Sequence, residues 1–106
     1  DDYPLIAQRV ARHVAGSSET LGVLVCKSGF GMDIAANRIR GVRAIVARTA
    51  AEAQIAREHN HANILVLGEE FTPQIQAAHI LKTWIDTRPS HAERHVRRVH
   101  ELDADL

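Results

Sequence analysis

Hydrophobic positions follow two alternating periods along this chain. Ile6, Val10 and Val14, filled in by Ala7 and Ala11, recur at helical spacing behind Pro4 and end at Ala15, so a helix is expected there. Gly16-Ser17-Ser18 breaks that pattern. Leu21-Gly22-Val23-Leu24-Val25-Cys26 then runs apolar without alternation, as a strand buried on both faces does. Ser28-Gly29-Phe30-Gly31 reads as a turn into a short helix from Met32 to Asn37, and Gly41 precedes a second strand over Val42 to Ala47. Thr49 and Glu52 have capping-box spacing, which starts a helix at Ala50 and carries it to about His59. Asn63 to Gly68 is a third buried strand. Thr72-Pro73 opens a helix whose inward face is Ile80, Leu81, Trp84 and Ile85. Pro89 ends it, and Ser90 is expected to cap a last helix carrying Arg94, Arg97 and Arg98.

Helices and strands in this order predict an α/β fold: a three-layer, Rossmann-like parallel sheet with helices on both faces, forming one domain over residues 1–106. In such sheets ligands collect beyond the carboxyl ends of the strands. Cys26, the turn from Ser28 to Gly31, and Gly68 all fall on that rim.

Composition narrows the function classes. A chain of 106 residues buries a modest core and often needs a partner surface to finish it. Thirteen basic side chains balance thirteen acidic ones, so no bulk field draws the protein to nucleic acid or to a membrane surface. No apolar run approaches the roughly 18 residues of a membrane span. One cysteine permits no internal disulfide, which fits a reducing compartment and a cytoplasmic protein.

Three clusters carry candidate chemistry. Cys26-Lys27-Ser28-Gly29-Phe30-Gly31-Met32 places a thiol at a strand end, before glycines that let the backbone approach a ligand and a helix start that favours negative charge. That dipole, and Lys27 beside it, favour a thiolate, and an anion hole next to a thiolate suits proton abstraction beside a carbonyl. The same residues also fit a core cysteine followed by an ordinary loop. His59 and Asn60, at a helix end, fit an acid/base in a loop or a dipole-favoured terminal histidine. Arg94 and Arg98, four apart, can grip a phosphate between two guanidiniums or belong to a solvated basic helix. A metal site is not expected: His91 and His95 share helical spacing, but no carboxylate or cysteine completes a set.

Together these segments resemble the ribose-5-phosphate isomerase B family, which includes the galactose-6-phosphate isomerase subunits. The likeness is carried by Asp2-Tyr3-Pro4, Cys26 to Met32, Ile34-Ala35-Ala36-Asn37, Gly41-Val42-Arg43-Ala44, Ala56-Arg57-Glu58-His59-Asn60 with Ala62-Asn63, Leu67-Gly68, and Arg94-His95 with Arg97-Arg98-Val99. The resemblance implies aldose–ketose isomerisation of a phosphorylated sugar through a cis-enediol(ate), with no metal or cofactor. It implies Cys26 as the base moving a proton between C1 and C2, assisted by Ser28. Backbone amides from Lys27 through Ser28, Gly29 and Phe30 to Gly31 would form the anion hole. His59 would open the sugar ring, Asn60 would contact the sugar, and Arg94 and Arg98 would bind its phosphate. Dimers or higher oligomers with sites between subunits are also implied.

Three departures qualify the likeness. The family's opening strand and helix, with an Asp-His pair, have no counterpart, so the chain is expected to be incomplete at its N-terminus and to leave a sheet edge uncovered. Lys27 replaces a glycine; if that position needs a positive φ, the lysine is strained by roughly 1 kcal/mol. Glu70 stands where many members carry a phosphate-binding arginine. The alternative these departures support is a catalytically incomplete or half-site subunit that binds a sugar phosphate or a partner subunit.

Overall fold

The computed structural model describes residues 2–104. Its elements follow in the order α1 (Tyr3–Ala15), β1 (Gly22–Cys26), α2 (Phe30–Asn37), β2 (Ala44–Val46), α3 (Ala50–Asn60), β3 (Ile64–Gly68), α4 (Gln74–Asp86) and α5 (Glu93–Asp103). The three strands form a parallel sheet in the order β1-β3-β2, with β3 in the middle. Every residue of β3 is buried, as a central strand with helices over both faces must be.

Alternation along β3 feeds two cores. Ile64 and Val66 point to α1 and α2, where they meet Ala7, Ala11, Val14, Met32, Ala35 and Ala36. Leu65 and Leu67 point the other way, onto Ala53 of α3 and Ile80 and Trp84 of α4. Alanines on α1, α2 and α3 let those helices lie close to the sheet. Fully buried Trp84 fills the second core, at about 2–3 kcal/mol of hydrophobic stabilisation, and the Arg57 guanidinium lies 5.8 Å from its ring centroid. Two asparagines finish the short β2. Asn37 donates to the Ala44 carbonyl at 2.9 Å and accepts from its N–H at 2.8 Å, and Asn63 accepts from the Arg43 N–H at 2.7 Å.

The three-layer α/β expectation holds, with local corrections. β1 is not buried on both faces: it is an edge strand, and α3 and α4 cover only its neighbours. Val23 and Val25 therefore stay exposed on that side. Ile85 also faces solvent, because α4 turns only Ile80 and Trp84 fully inward. Thr72 does not cap α4, whose N-cap is Pro73; its buried hydroxyl has no hydrogen-bond partner among the described residues and borders a cavity of about 350 Å³ with Val25, Leu67 and Ala77. Ser90 does not cap α5, which begins after Ala92. Thr49 does cap α3, accepting the Glu52 N–H at 3.1 Å.

Candidate active site

Cys26 closes β1 at the carboxyl rim of the sheet, paired in register with Gly68 of β3. The chain must turn sharply there, and Gly29 supplies the turn with φ 88° as the N-cap of α2. In that conformation the Gly29 N–H donates to the Cys26 sulfur at 3.1 Å. An N–H aimed this way is accepted more strongly by a thiolate than by a thiol. Cys26 as a residue is half-buried, at the border of the core packed by α1 and α2.

The β3 end holds this turn from below. Glu69 N–H donates to the Cys26 carbonyl at 2.9 Å, and Glu70 N–H to the Lys27 carbonyl at 3.0 Å. Gly68 lies directly under the Ser28 carbonyl, with no room for a side chain. Of the expected amide row from Lys27 to Gly31, two members are already engaged: Gly29 on the sulfur and Phe30 on Ser28 Oγ, at 3.3 Å. Ser28 Oγ thus accepts one bond from within the turn, which does not use its O–H proton. Lys27 is unstrained, because His61 is the one non-glycine with positive φ among the described residues. The Lys27 ammonium lies 3.5 Å from the Glu70 carboxylate, so the two departures from the family pattern neutralise one another at the mouth of the turn.

Tyr3 is a neighbour that hydrophobic patterning did not single out. Its half-exposed ring lies against Gly31, where any side chain would collide with it. Phe30 and Phe71, both exposed, pair beside the turn with ring centroids 5.9 Å apart. The lack of a side chain at position 31 is the sequence signal for that contact.

His59, Arg94 and Arg98 form a second cluster around His95, and Asn60 follows His59 at the end of α3. His59 and Asn60 sit on the last turn of α3, His59 half-exposed with Nε2 3.6 Å from the Glu58 carboxylate. Arg94 and Arg98 lie exposed on one side of α5, as their spacing predicts. Between them, buried His95 stacks on His59 with ring centroids 4.3 Å apart. His95, too, was absent from the expected site. Burial lowers its proton affinity first, and the charges of His59, Arg94 and Arg98 add to the effect.

One chain does not bring the two clusters together. Cys26 pairs with Gly68 at one end of β3, whereas His59 and Asn60 precede Ile64 at the other. Four strand steps, about 13 Å, separate those ends before the reach of any side chain is counted. The clusters occupy opposite rims. Among the described residues, no group of three or more His, Cys, Asp or Glu side chains is placed to hold a metal ion.

Comparison with known proteins settles the lineage. The family model described as Ribose/Galactose Isomerase matches residues 1–102. The chain belongs to the ribose/galactose isomerase family. It is 37% identical over 103 residues to ribose-5-phosphate isomerase B of Escherichia coli, covering 97% of this chain and 68% of that one. It is 35% identical over 102 residues to the enzyme of the same name from Mycolicibacterium paratuberculosis, covering 96% of this chain and 64% of that one. Among solved structures, type B ribose 5-phosphate isomerase from Trypanosoma cruzi superposes with a TM-score of 0.94 at 44% identity, covering 97% of this chain and 69% of that one. Ribose-5-phosphate isomerase B from Mycoplasma genitalium, solved with bound ribulose-5-phosphate, gives 0.89 at 34% identity, covering 96% and 67%. The chain thus spans about two thirds of its relatives' length. By family it is a sugar-phosphate isomerase.

Proposed function

We propose that the chain interconverts an aldose phosphate and a ketose phosphate of the ribose 5-phosphate kind, at a site shared between two copies. The observation that carries this reading is the Gly29 N–H aimed at the Cys26 sulfur at the mouth of α2. It gives a strand-end thiol the setting of a base.

In the proposed reaction the Cys26 thiolate takes the proton from C2 of the open-chain aldose. The C–H electron pair becomes the C1=C2 bond, and the carbonyl π pair moves to O1 as an enediolate. Amides of the Lys27–Gly31 row other than the engaged Gly29 and Phe30 offset that charge. O1 gains a proton as O2 loses one; O2 becomes the ketose carbonyl, and the sulfur's proton goes to C1. No electrons leave the sugar. His59 relays the proton between the ring oxygen and the anomeric hydroxyl when the ring opens, and Arg94 and Arg98 hold the phosphate.

Since those groups occupy the opposite rim from Cys26, a second copy supplies them. The amino-end cluster of one chain, laid against the carboxyl-end turn of another, joins base, ring-opening group and phosphate clamp. This arrangement agrees with the family likeness and with the small core of the single chain. The ligand named for the M. genitalium structure, ribulose-5-phosphate, supports the substrate class.

The test is an isomerase assay on ribose 5-phosphate with the native chain and Cys26→Ser. The native chain should form the ketose, and Cys26→Ser should lose at least about 100-fold in kcat with its circular dichroism unchanged. A folded Cys26→Ser chain with native turnover would refute the assignment. A native chain that binds the sugar phosphate without converting it would favour the half-site alternative.

A further inference from the structure

The corner that carries His59 contains a buried group to which the reaction above gives no part. His95 is 7% exposed, and its ring lies under that of His59 with the planes 22° apart. Its Nδ1 meets the Ser90 hydroxyl at 2.8 Å. Ser90 ties the same corner together through three further bonds. Its N–H donates to the Glu58 carbonyl at 2.8 Å, its hydroxyl oxygen accepts the Ala92 N–H at 3.1 Å, and its carbonyl accepts from His61 Nε2 at 2.8 Å. One serine and one imidazole thus fasten the last turn of α3 to the first turn of α5.

We propose that His95, held by Ser90, is a positioning residue for His59: it fixes the plane of the His59 ring and leaves the exchangeable proton to that ring. The proposal rests on the reading of His59 as the ring-opening group. Two χ angles would otherwise let a half-exposed histidine on a helix end sample several orientations. The stack removes that freedom, which matters because ring opening needs one nitrogen aimed at one oxygen. Proton allocation follows from the surroundings of His95. Arg94 and Arg98 from α5 and His59 from α3 oppose a charge there, and only Glu58 favours one. Two stacked imidazoles cannot both be charged without strong repulsion. Kept neutral, His95 leaves its partner free to cycle.

The experiment compares native chain, His95→Ala and His95→Phe on two substrates. Ribose 5-phosphate must open its ring, whereas a four-carbon aldose 4-phosphate has no free hydroxyl with which to close one. His95→Ala should lose about tenfold in kcat on the cyclic sugar, change the pH profile of that reaction, and leave the acyclic sugar unaffected. His95→Phe, which restores a stacking surface, should recover most of the loss. Equal loss on both substrates would overturn the proposal and leave His95 a merely structural residue.

Imidazole NMR separates this proposal from the reading beneath it. In the native chain His95 should stay neutral and in one tautomer from about pH 5 to about pH 8. The ring-current shift of His59 should vanish in His95→Ala and persist in His95→Phe. If the rings behave so but neither sugar is turned over, the isomerase reading fails while the brace stands. A His59 resonance indifferent to both substitutions would remove the brace.

Discussion

Gly68 at the end of β3 touches Ser28 in the turn after β1: the Ser28 carbonyl oxygen occupies the space that any side chain on Gly68 would need. This contact lets the turn after β1 lie on the end of β3, and so sets the position of the Cys26 sulfur. Gly68→Ala forces one backbone off the other. Overpacking of this kind costs about 3 kcal/mol, and denaturant unfolding should show a loss near that size. Activity should fall further than stability does, since the surviving fold would hold the turn out of place. A Gly68→Ala chain of native stability would mean that this contact is loose in solution.

Asp33 supplies a pH test. Burial raises its carboxyl from 3.8 to about 6, and its Oδ1 has no hydrogen-bond partner among the described residues. The native state therefore holds this proton more tightly than the unfolded chain does. The contribution of Asp33 to stability falls as pH rises between about 4 and 6 and stays unfavourable above that. A shift of this size corresponds to about 3 kcal/mol for a sealed group; the half-open position of Asp33 reduces that to about 1 kcal/mol. Asp33→Ala should accordingly stabilise the chain by about 1 kcal/mol at pH 7, with the gain gone near pH 3.5. A gain that does not vary with pH would point to helix propensity rather than to the buried carboxyl.

The Lys27–Glu70 pair is exposed, so breaking it should change stability by no more than about 0.5 kcal/mol. Its effect should appear in substrate binding. Glu70→Arg removes a carboxylate from the mouth of the Cys26 turn and should tighten binding of a phosphorylated sugar by several-fold, with little change for the dephosphorylated sugar. Titration calorimetry on both sugars reads this directly. No difference between the sugars would place Glu70 outside the path of the phosphate.

Much of this fold was legible from residue order. The apolar run of β3 and the Thr49 cap each express a local physical rule and appear as read, and the glycine turn after Cys26 is present but shorter, with α2 starting at Phe30 rather than at Met32. Where the reading failed, long-range geometry decided. Val23 and Val25 look like core residues, but the β1-β3-β2 order leaves their strand at an edge. Thr72 and Ser90 carry good capping side chains, but the helices start one or two residues later.

The candidate site divides in the same way. Cys26 was visible because a strand end, a glycine and a helix start are adjacent in sequence. His95 was not, because its stacking on His59 depends on how α5 meets α3, and no spacing along the chain encodes that. Nor could spacing show that Cys26 and His59 lie on opposite rims. That separation is why the proposed site calls for a second chain.

Mixing Cys26→Ala chains with His59→Ala chains tests the shared site most directly. Each variant alone should be inactive. After the two are unfolded together and refolded, half of random dimers carry one of each, and each such dimer rebuilds one intact site of two. Ribose 5-phosphate isomerisation should then return to about a quarter of the native rate, with the catalytic groups of each site acting as one unit. A mixture no more active than its separate components would contradict a site built from two copies.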